Sequence, residues 1–441
     1  MGKTCQSTHA DINKLRRADE AAHDWYRFVL SYPPHLVRSY VDSFSLEGDR
    51  TVMDPFCGTG TTVVECKKLG IPAVGIEAHP MAHFASSVKV SWDVDPDELL
   101  SASEGVAEAT LDHLDAQGIS DNAALLMPPE ETDGLRTLSS EQQRLILKNS
   151  ISPLPLHKTL VLLEKLREQP DGRFLCHQKL ALARALVDRI GNLHFGPEVG
   201  VGEIQQDAPV VHPWLGGVRR MCRDLKELQD KADVPARVHC GDARGCFEQM
   251  DAGSVDAVIT SPPYPNEKDY TRTMRLESVL LGFMRDRKDL RRIKRTLLRS
   301  NTRGVYKGDD DDAWVEDFPE IQRIAEKIEA RRVELGKTSG FERTYPRVTK
   351  LYFGGMARHF ADLRRVLSPG AQLAYVVGDQ ASYLRVTIRT GQILAKIAES
   401  LGYEVTDIDL FRTRWASATR EELREEVLLL RWPGTRTGSR Q

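Results

Sequence analysis

Apolar positions along this chain change their period several times, and those changes divide it. RTVMD, residues 50–54, reads as a short buried strand around Val52 and Met53. A Gly-rich turn follows. TTVVECKKLG then reads as an apolar helix with Gly70 as its C-terminal cap, and AVGIE as a second short strand. Residues 50–77 therefore predict a β–turn–α–β unit, the opening of a doubly wound parallel sheet. Upstream, residues 11–46 carry helical spacing that is expected to end in an extended SYPPHL stretch, because Pro33 and Pro34 do not fit inside a helix.

Residues 96–235 are rich in Leu, Ala, Glu, Gln and Lys at helical spacing, as in SSEQQRLILKN and HKTLVLLEKLRE. Strand patterning returns at ARVHCGD and VDAVITS. From 267 to 345 the chain is again charged and helix-prone. FGGMARHFADLRRVL then predicts a helix, AQLAYVVGD a strand, the run through Ile397 a helix, and YEVTDIDL and EEVLLLRW two more strands. The expected fold is α/β: a Rossmann-like sheet with helices on both faces and helical insertions. Its core segments are 20–95, 236–283 and 346–433. A mainly helical insertion spans 96–235, a candidate DNA-recognition domain with partner contact or buttressing of the sheet as alternatives, and a charged helical one spans 284–345, a candidate DNA contact.

Composition narrows the class. Of 441 residues, 41% are hydrophobic and 28% charged, the balance of an ordinary globular protein. No run approaches the roughly 20 apolar residues of a membrane span. The N-terminal MGKTCQSTHADINKLRRADE has no apolar signal run, and Gln6 breaks the myristoylation pattern. Seven scattered cysteines without a CxxC pair predict neither a disulfide framework nor a metal centre and suit a reducing, cytoplasmic setting. With a net charge of −3, nucleic acid would have to be held by a local patch.

Three motifs carry chemistry. Asp54, Pro55, Phe56, Cys57, Gly58, Thr59, Gly60, Thr61 and Thr62 lie between a strand and a helix. There Gly58 and Gly60 allow a tight turn and close approach to a ligand, and the helix N-terminus offers unpaired N–H groups. Glu77, at the tip of the next strand, is placed to bind both hydroxyls of a ribose. A purely structural turn is the alternative. The spacing is neither a dinucleotide GxGxxG nor a phosphate loop. Ser261, Pro262, Pro263 and Tyr264 follow the strand VDAVIT. Two prolines freeze the backbone at a carboxyl strand end, and the aromatic ring beside acceptor oxygens suits a flat base carrying an amino group. The alternative is a stiff turn with a buried tyrosine. Asp242 and Ala243 follow the strand VHC, where the acid could accept from an adenine amino group, although Gly-Asp is also a common turn pair. All three motifs stand on strand tips that share one edge of one sheet.

Together these residues resemble the DNA amino-methyltransferases that modify N4 of cytosine or N6 of adenine. DPFCGTGTT looks like their cofactor loop, Glu77 like the ribose acid, Asp242 like the acid near the adenine ring and SPPY like the catalytic motif. HDWYRFVLSYPPHLV is similar to the segment that closes over the methionine end. The resemblance covers roughly 23–92, 236–283 and 350–433. It departs from the usual arrangement in placing the large insertion before the Asp242 strand. It implies S-adenosyl-L-methionine as cofactor and direct methyl transfer to the amine. Ser261 and the Pro262 carbonyl would accept the amino hydrogens, and Tyr264 would stack on a base flipped out of double-stranded DNA. Phe56 either faces the cofactor's sulfonium or packs in the core. In this family Ser before PPY is commoner with cytosine N4, so the expected product is N4-methylcytosine.

Nine basic residues against two acidic ones between Arg285 and Arg303 predict a phosphate-binding helix beside the pocket, with a solvated face as the alternative. The run 309–312, DDDD, argues against the whole insertion lying on phosphate. Rival readings are an adenine-N6 enzyme, an RNA base methyltransferase, a protein glutamine methyltransferase and a non-catalytic DNA-binding protein of the same fold. A restriction nuclease or another defence-system partner is also consistent with the resemblance.

Overall fold

The computed structural model describes residues 15–26, 31–122, 134–196, 198–416 and 420–434. Nine strands occur among them: β1 Val52–Asp54, β2 Ala73–Glu77, β3 Leu193–Phe195, β4 Val199–Val201, β5 Ala236–Cys240, β6 Val255–Thr260, β7 Leu367–Gly378, β8 Glu404–Ala416 and β9 Glu421–Arg431. Seven form one sheet in the order β5-β2-β1-β6-β7-β9-β8. β5, β2, β1, β6 and β7 run parallel, and β9 is antiparallel to both neighbours. Val52, Met53 and Asp54 of β1 are all buried, as befits a central parallel strand covered on both faces. The α/β, Rossmann-like architecture expected from the sequence is the one observed.

Helix α1 spans Pro34–Ser43, α2 Thr61–Lys68 and α3 Pro80–Lys89. Gly60, at φ +92°, leads into α2. The helix ends as expected around Gly70, whose positive φ lets Gly70 N–H reach the Lys67 carbonyl and Ile71 N–H the Cys66 carbonyl. One apolar core packs α1–α3 and the helices of 96–235 on one face of the sheet. A second, on the other face, joins Met53, Ile76 and Val258 to the helices Gly340–Leu363 and Thr390–Ser400.

The upstream segment corrects the sequence reading. Where described, it holds two single 3₁₀ turns, Arg17–Asp19 and His23–Trp25, and its helix begins at Pro34. Pro34 occupies the first helical turn, where no N–H is needed, so the proline pair starts a helix and does not follow one. Residues 11–14 and 27–30 lie outside the described set.

The 96–235 region is mainly helical, with the small β3–β4 hairpin as an unforeseen element. It reaches the segment after SPPY: Arg275 donates to the Leu145 carbonyl at 3.2 Å, and Arg272 pairs with Glu198 at 3.5 Å. The β8–β9 pair continues to Ala416↔Glu421, past the last β7 rung at Gly378↔Glu425. Because β8 runs parallel to β6, this overhang stands above the carboxyl edge of the sheet. Among the described residues, no helix is long and apolar enough to cross a membrane.

Candidate active site

The carboxyl ends of β5, β2, β1 and β6 lie side by side, and β1–β6 is the point where the strand order reverses, the usual ligand crevice of such sheets. A cavity of about 410 Å³ opens there. Its lining includes Phe56, Cys57, Gly58, Thr59, Thr61, Glu77, Asp242, Ala243, Ser261, Pro262, Pro263 and Tyr264. Twelve of the residues singled out in the sequence thus share one cavity.

Asp54 and Gly60 shape the site without lining it. Asp54 is fully buried and accepts from Thr260 Oγ1 at 2.6 Å, from its own loop at Phe56 N (3.1 Å) and from the Tyr32 hydroxyl (3.1 Å). Thr62 Oγ1 donates to the Ile259 carbonyl at 2.9 Å. The cofactor-type loop is therefore stapled to the strand that carries SPPY. Burial pushes the Asp54 carboxyl up to about 6. Gly60 lies so close to α3 that a Cβ there would meet the Ser86 Cβ at 3.0 Å.

Glu77 accepts Gly58 N–H at 2.8 Å and His79 N–H at 2.7 Å, so its carboxylate is aimed by the backbone on either side. Burial lifts this carboxyl to about 7. The adenosine part of a nucleoside cofactor suits this end: ribose hydroxyls would supply the donors that favour the ionised form.

The Ser261 hydroxyl donates to the Val376 carbonyl at 3.1 Å. Its hydrogen is thus committed to β7, and its oxygen remains an acceptor. Tyr264 lies on the end of β7, where a Cβ on Gly378 would come within 3.0 Å of Tyr264 Cε2, and its hydroxyl points to Glu425 Oε1 at 3.4 Å. Phe56 packs edge-on to His359 at 4.8 Å. His359 in turn meets the Ala243 carbonyl with Nδ1 (2.8 Å) and the Tyr375 hydroxyl with Nε2 (2.6 Å). A carbonyl only accepts, so Nδ1 carries the proton and Nε2 accepts. Burial pushes His359 down to about 4, which keeps it neutral.

Ser31, Tyr32 and Pro33, from the segment that resembles the one closing over the methionine end, line the cavity ahead of α1, and Ser31 Oγ sits 3.4 Å from Thr59 Oγ1. Other parts were missed from sequence. The far wall comes from the segment after SPPY, with Asn266, Lys268, Tyr270 and Asn301, and from the β8–β9 overhang, with Arg412, Arg414 and Glu425. Arg244 clamps Asp242 (Nε–Oδ1 2.9 Å, Nη2–Oδ2 2.6 Å), pairs with Asp311 and donates to the Arg295 carbonyl at 3.1 Å. Its link to Asp242 is local, but Asp311 and Arg295, which complete the clamp, stand far along the chain.

In the DDDD run Asp309 pairs with Arg299 at 2.8 Å, Asp311 with Arg244 and Arg358, and Asp312 with Arg347 at 3.9 Å, so three of its four charges have partners within the fold. The basic helix itself, Arg287–Thr296, is capped by Asp286 and leaves Arg287, Lys288, Arg291, Arg292 and Arg295 exposed. Lys294 is drawn back onto Asp269 at 2.8 Å. Among the described residues no cluster of His, Cys, Asp or Glu could hold a metal ion.

Comparison with known proteins adds an independent line. A family model of N6/N4 methyltransferases, described as DNA methylase, matches residues 6–86. Type II methyltransferase M.BsoBI of Geobacillus stearothermophilus is 25% identical over 444 residues, covering 91% of this chain and 82% of that protein. Type II methyltransferase M.AvaI of Anabaena variabilis is 25% identical over 419 residues, covering 90% and 82%. Among solved structures, TrmN from Thermus thermophilus aligns with 90% of this chain and 48% of its own, about half its length, at 11% identity and a TM-score of 0.25.

Proposed function

We propose that this chain, which is similar to the N6/N4 DNA methylases and to type II methyltransferases, uses S-adenosylmethionine to methylate the exocyclic N4 of cytosine in DNA. The observation that supports transfer to an exocyclic amine is the Ser261 hydroxyl, donated to Val376 and so left as an acceptor at the mouth of the SPPY loop; the choice of cytosine rests on serine standing before PPY. The two relatives are named type II methyltransferases. On the same reading this chain protects one DNA sequence, with a restriction nuclease for that site as its partner.

The cavity residues divide the work. Glu77 and Asp242 hold the adenosine end, and Phe56 stands beside the reactive end. When bound, S-adenosylmethionine supplies an electrophilic methyl on a sulfonium. The amine of cytosine is a poor nucleophile because its lone pair is delocalised into the ring. Ser261 Oγ and the Pro262 carbonyl accept its two hydrogens, draw the nitrogen toward a tetrahedral shape and free the lone pair. Tyr264 offers a face for the base, which must leave the duplex to arrive there at a cost of a few kcal/mol. The exposed cations of Arg287–Thr296 lie on the segment that walls the cavity and are placed to meet phosphates.

Incubation with labelled S-adenosylmethionine and unmethylated duplex DNA, then digestion and mass spectrometry of the nucleosides, tests this. N4-methylcytosine is expected. N6-methyladenine would overturn the base assignment, and unmodified DNA would overturn the substrate. Ser261→Ala is expected to lower turnover by about 10²–10³-fold, the effect of losing one aimed hydrogen-bond partner, while cofactor binding persists.

A further inference from the structure

His79 is unexplained by the methyl-transfer reading. It is 2% exposed, lines the cavity and has no hydrogen-bond partner at either Nδ1 or Nε2. Buried polar atoms are nearly always satisfied, and one left unmade is costly unless a ligand completes it. The position does not need a histidine for local structure. It precedes α3 as its N-cap, but the ring makes no cap bond, and Pro80 already fits the first turn. Burial, reinforced by nearby Arg275, pushes the ring down to about 4, so it is neutral, with one N–H donor and one acceptor nitrogen.

The ring's place defines what it would meet. His79 is tied to Glu77 by its own backbone N–H, which donates to Glu77 Oε1 at 2.7 Å. An ionised Glu77 accepts only, so it takes the hydrogens of ribose hydroxyls and leaves their oxygen lone pairs without a donor. The neutral imidazole beside it has an idle N–H. We propose that His79 is a second ribose contact, donating to a cofactor hydroxyl whose own hydrogen goes to Glu77. The pair is complementary: the carboxylate accepts from the sugar and the imidazole donates to it. This proposal concerns the cofactor alone and does not depend on which base is methylated.

Calorimetric titration with S-adenosylhomocysteine and with its 2′-deoxy and 3′-deoxy analogues tests it without DNA. His79→Phe is expected to weaken S-adenosylhomocysteine about ten-fold, and with one of the two deoxy analogues the variant and the wild type should bind alike. His79→Gln, which keeps an N–H donor, should recover most of the affinity. The free His79→Phe protein should melt at the same temperature as wild type or higher, since it removes two unmade bonds, which a merely structural histidine would not show. Should His79→Phe fail to fold, His79→Met serves as the apolar variant. Unchanged affinity for S-adenosylhomocysteine would overturn the proposal. So would an equal loss with both deoxy analogues, which would move the ring's partner off the sugar. A wild-type protein that binds no S-adenosylhomocysteine would instead overturn the cofactor assignment itself.

Discussion

The two insertions are held to the sheet by different physics. The helices of 96–235 bury Leu162, Leu180, Leu182, Leu186, Ile190 and Trp214 against α2 and α3 in one apolar core. Ion pairs such as Lys226–Asp97 and Arg219–Glu104 sit at its exposed rim, and one buried pair, Lys158–Asp207 at 2.7 Å, lies within it. The 284–345 segment has apolar anchors too, Val315, Ile321 and Ile328. Where it meets the cavity, however, it is stitched by withdrawn charges: Arg299–Asp309, Lys294–Asp269 and Arg244–Asp311. Apolar contact is non-directional and tolerates sliding, whereas a guanidinium clamped by carboxylates fixes a position. The 96–235 region relies mainly on the first device, and the wall of the cavity on the second.

Trp214→Ala should break this contrast most strongly, since it removes a fully buried ring and its bond to the Gln178 carbonyl at 2.9 Å. A loss of about 4 kcal/mol in denaturant unfolding is expected, with cofactor affinity of the folded fraction unchanged. Asp311→Asn should cost about 3 kcal/mol by stripping Arg244 of one partner. It should also weaken S-adenosylhomocysteine, because Arg244 holds Asp242; an unchanged affinity would separate the clamp from the site. Replacing Arg291, Arg292 and Arg295 together by Ala should change stability by no more than about 0.5 kcal/mol. The slope of log affinity for DNA against log salt should become shallower by about 2–3, and an unmoved slope would dismiss the basic helix as a DNA contact.

The mildest effect concerns pH. Glu77 titrates near 7 in the folded protein, above its ordinary 4.5, because burial favours the neutral form. Its contribution to the stability of the free protein is full below about 4.5 and is lost as pH rises through 7. Ribose hydroxyls favour the ionised form, so S-adenosylhomocysteine should bind several-fold more tightly at pH 8 than at pH 6. At pH 6 binding should release a proton, seen by calorimetry in buffers of different ionisation enthalpy. Glu77→Gln should abolish both signatures.

Sequence legibility followed the range of the interaction. β1, β2, β6 and the loops that follow them were readable because strand, turn and helix signals lie within a few residues of one another. Gly58, Gly60 and the Pro262-Pro263 pair advertise their backbone constraints directly. The proline pair at Pro33-Pro34 was misread because proline stops a helix and starts one with equal ease, and only the following residues tell which. Arg244 with Asp311, Ser261 with Val376 and His359 with Ala243 were invisible, each being a pairing across distant elements. The arginine partners of the DDDD run were invisible for the same reason.

The overhang of β8 and β9 carries a consequence for the order of synthesis. The loop at residues 54–62 emerges from the ribosome before Arg412, Arg414 and Glu425, which close the cavity's far side and lie roughly 350 residues further along the chain. At about 5–20 residues per second, some tens of seconds separate the two. A nascent or prematurely terminated chain would therefore own the loop and the SPPY motif but lack the wall that confines a base. The cavity is whole only once β8 and β9 have been made and paired.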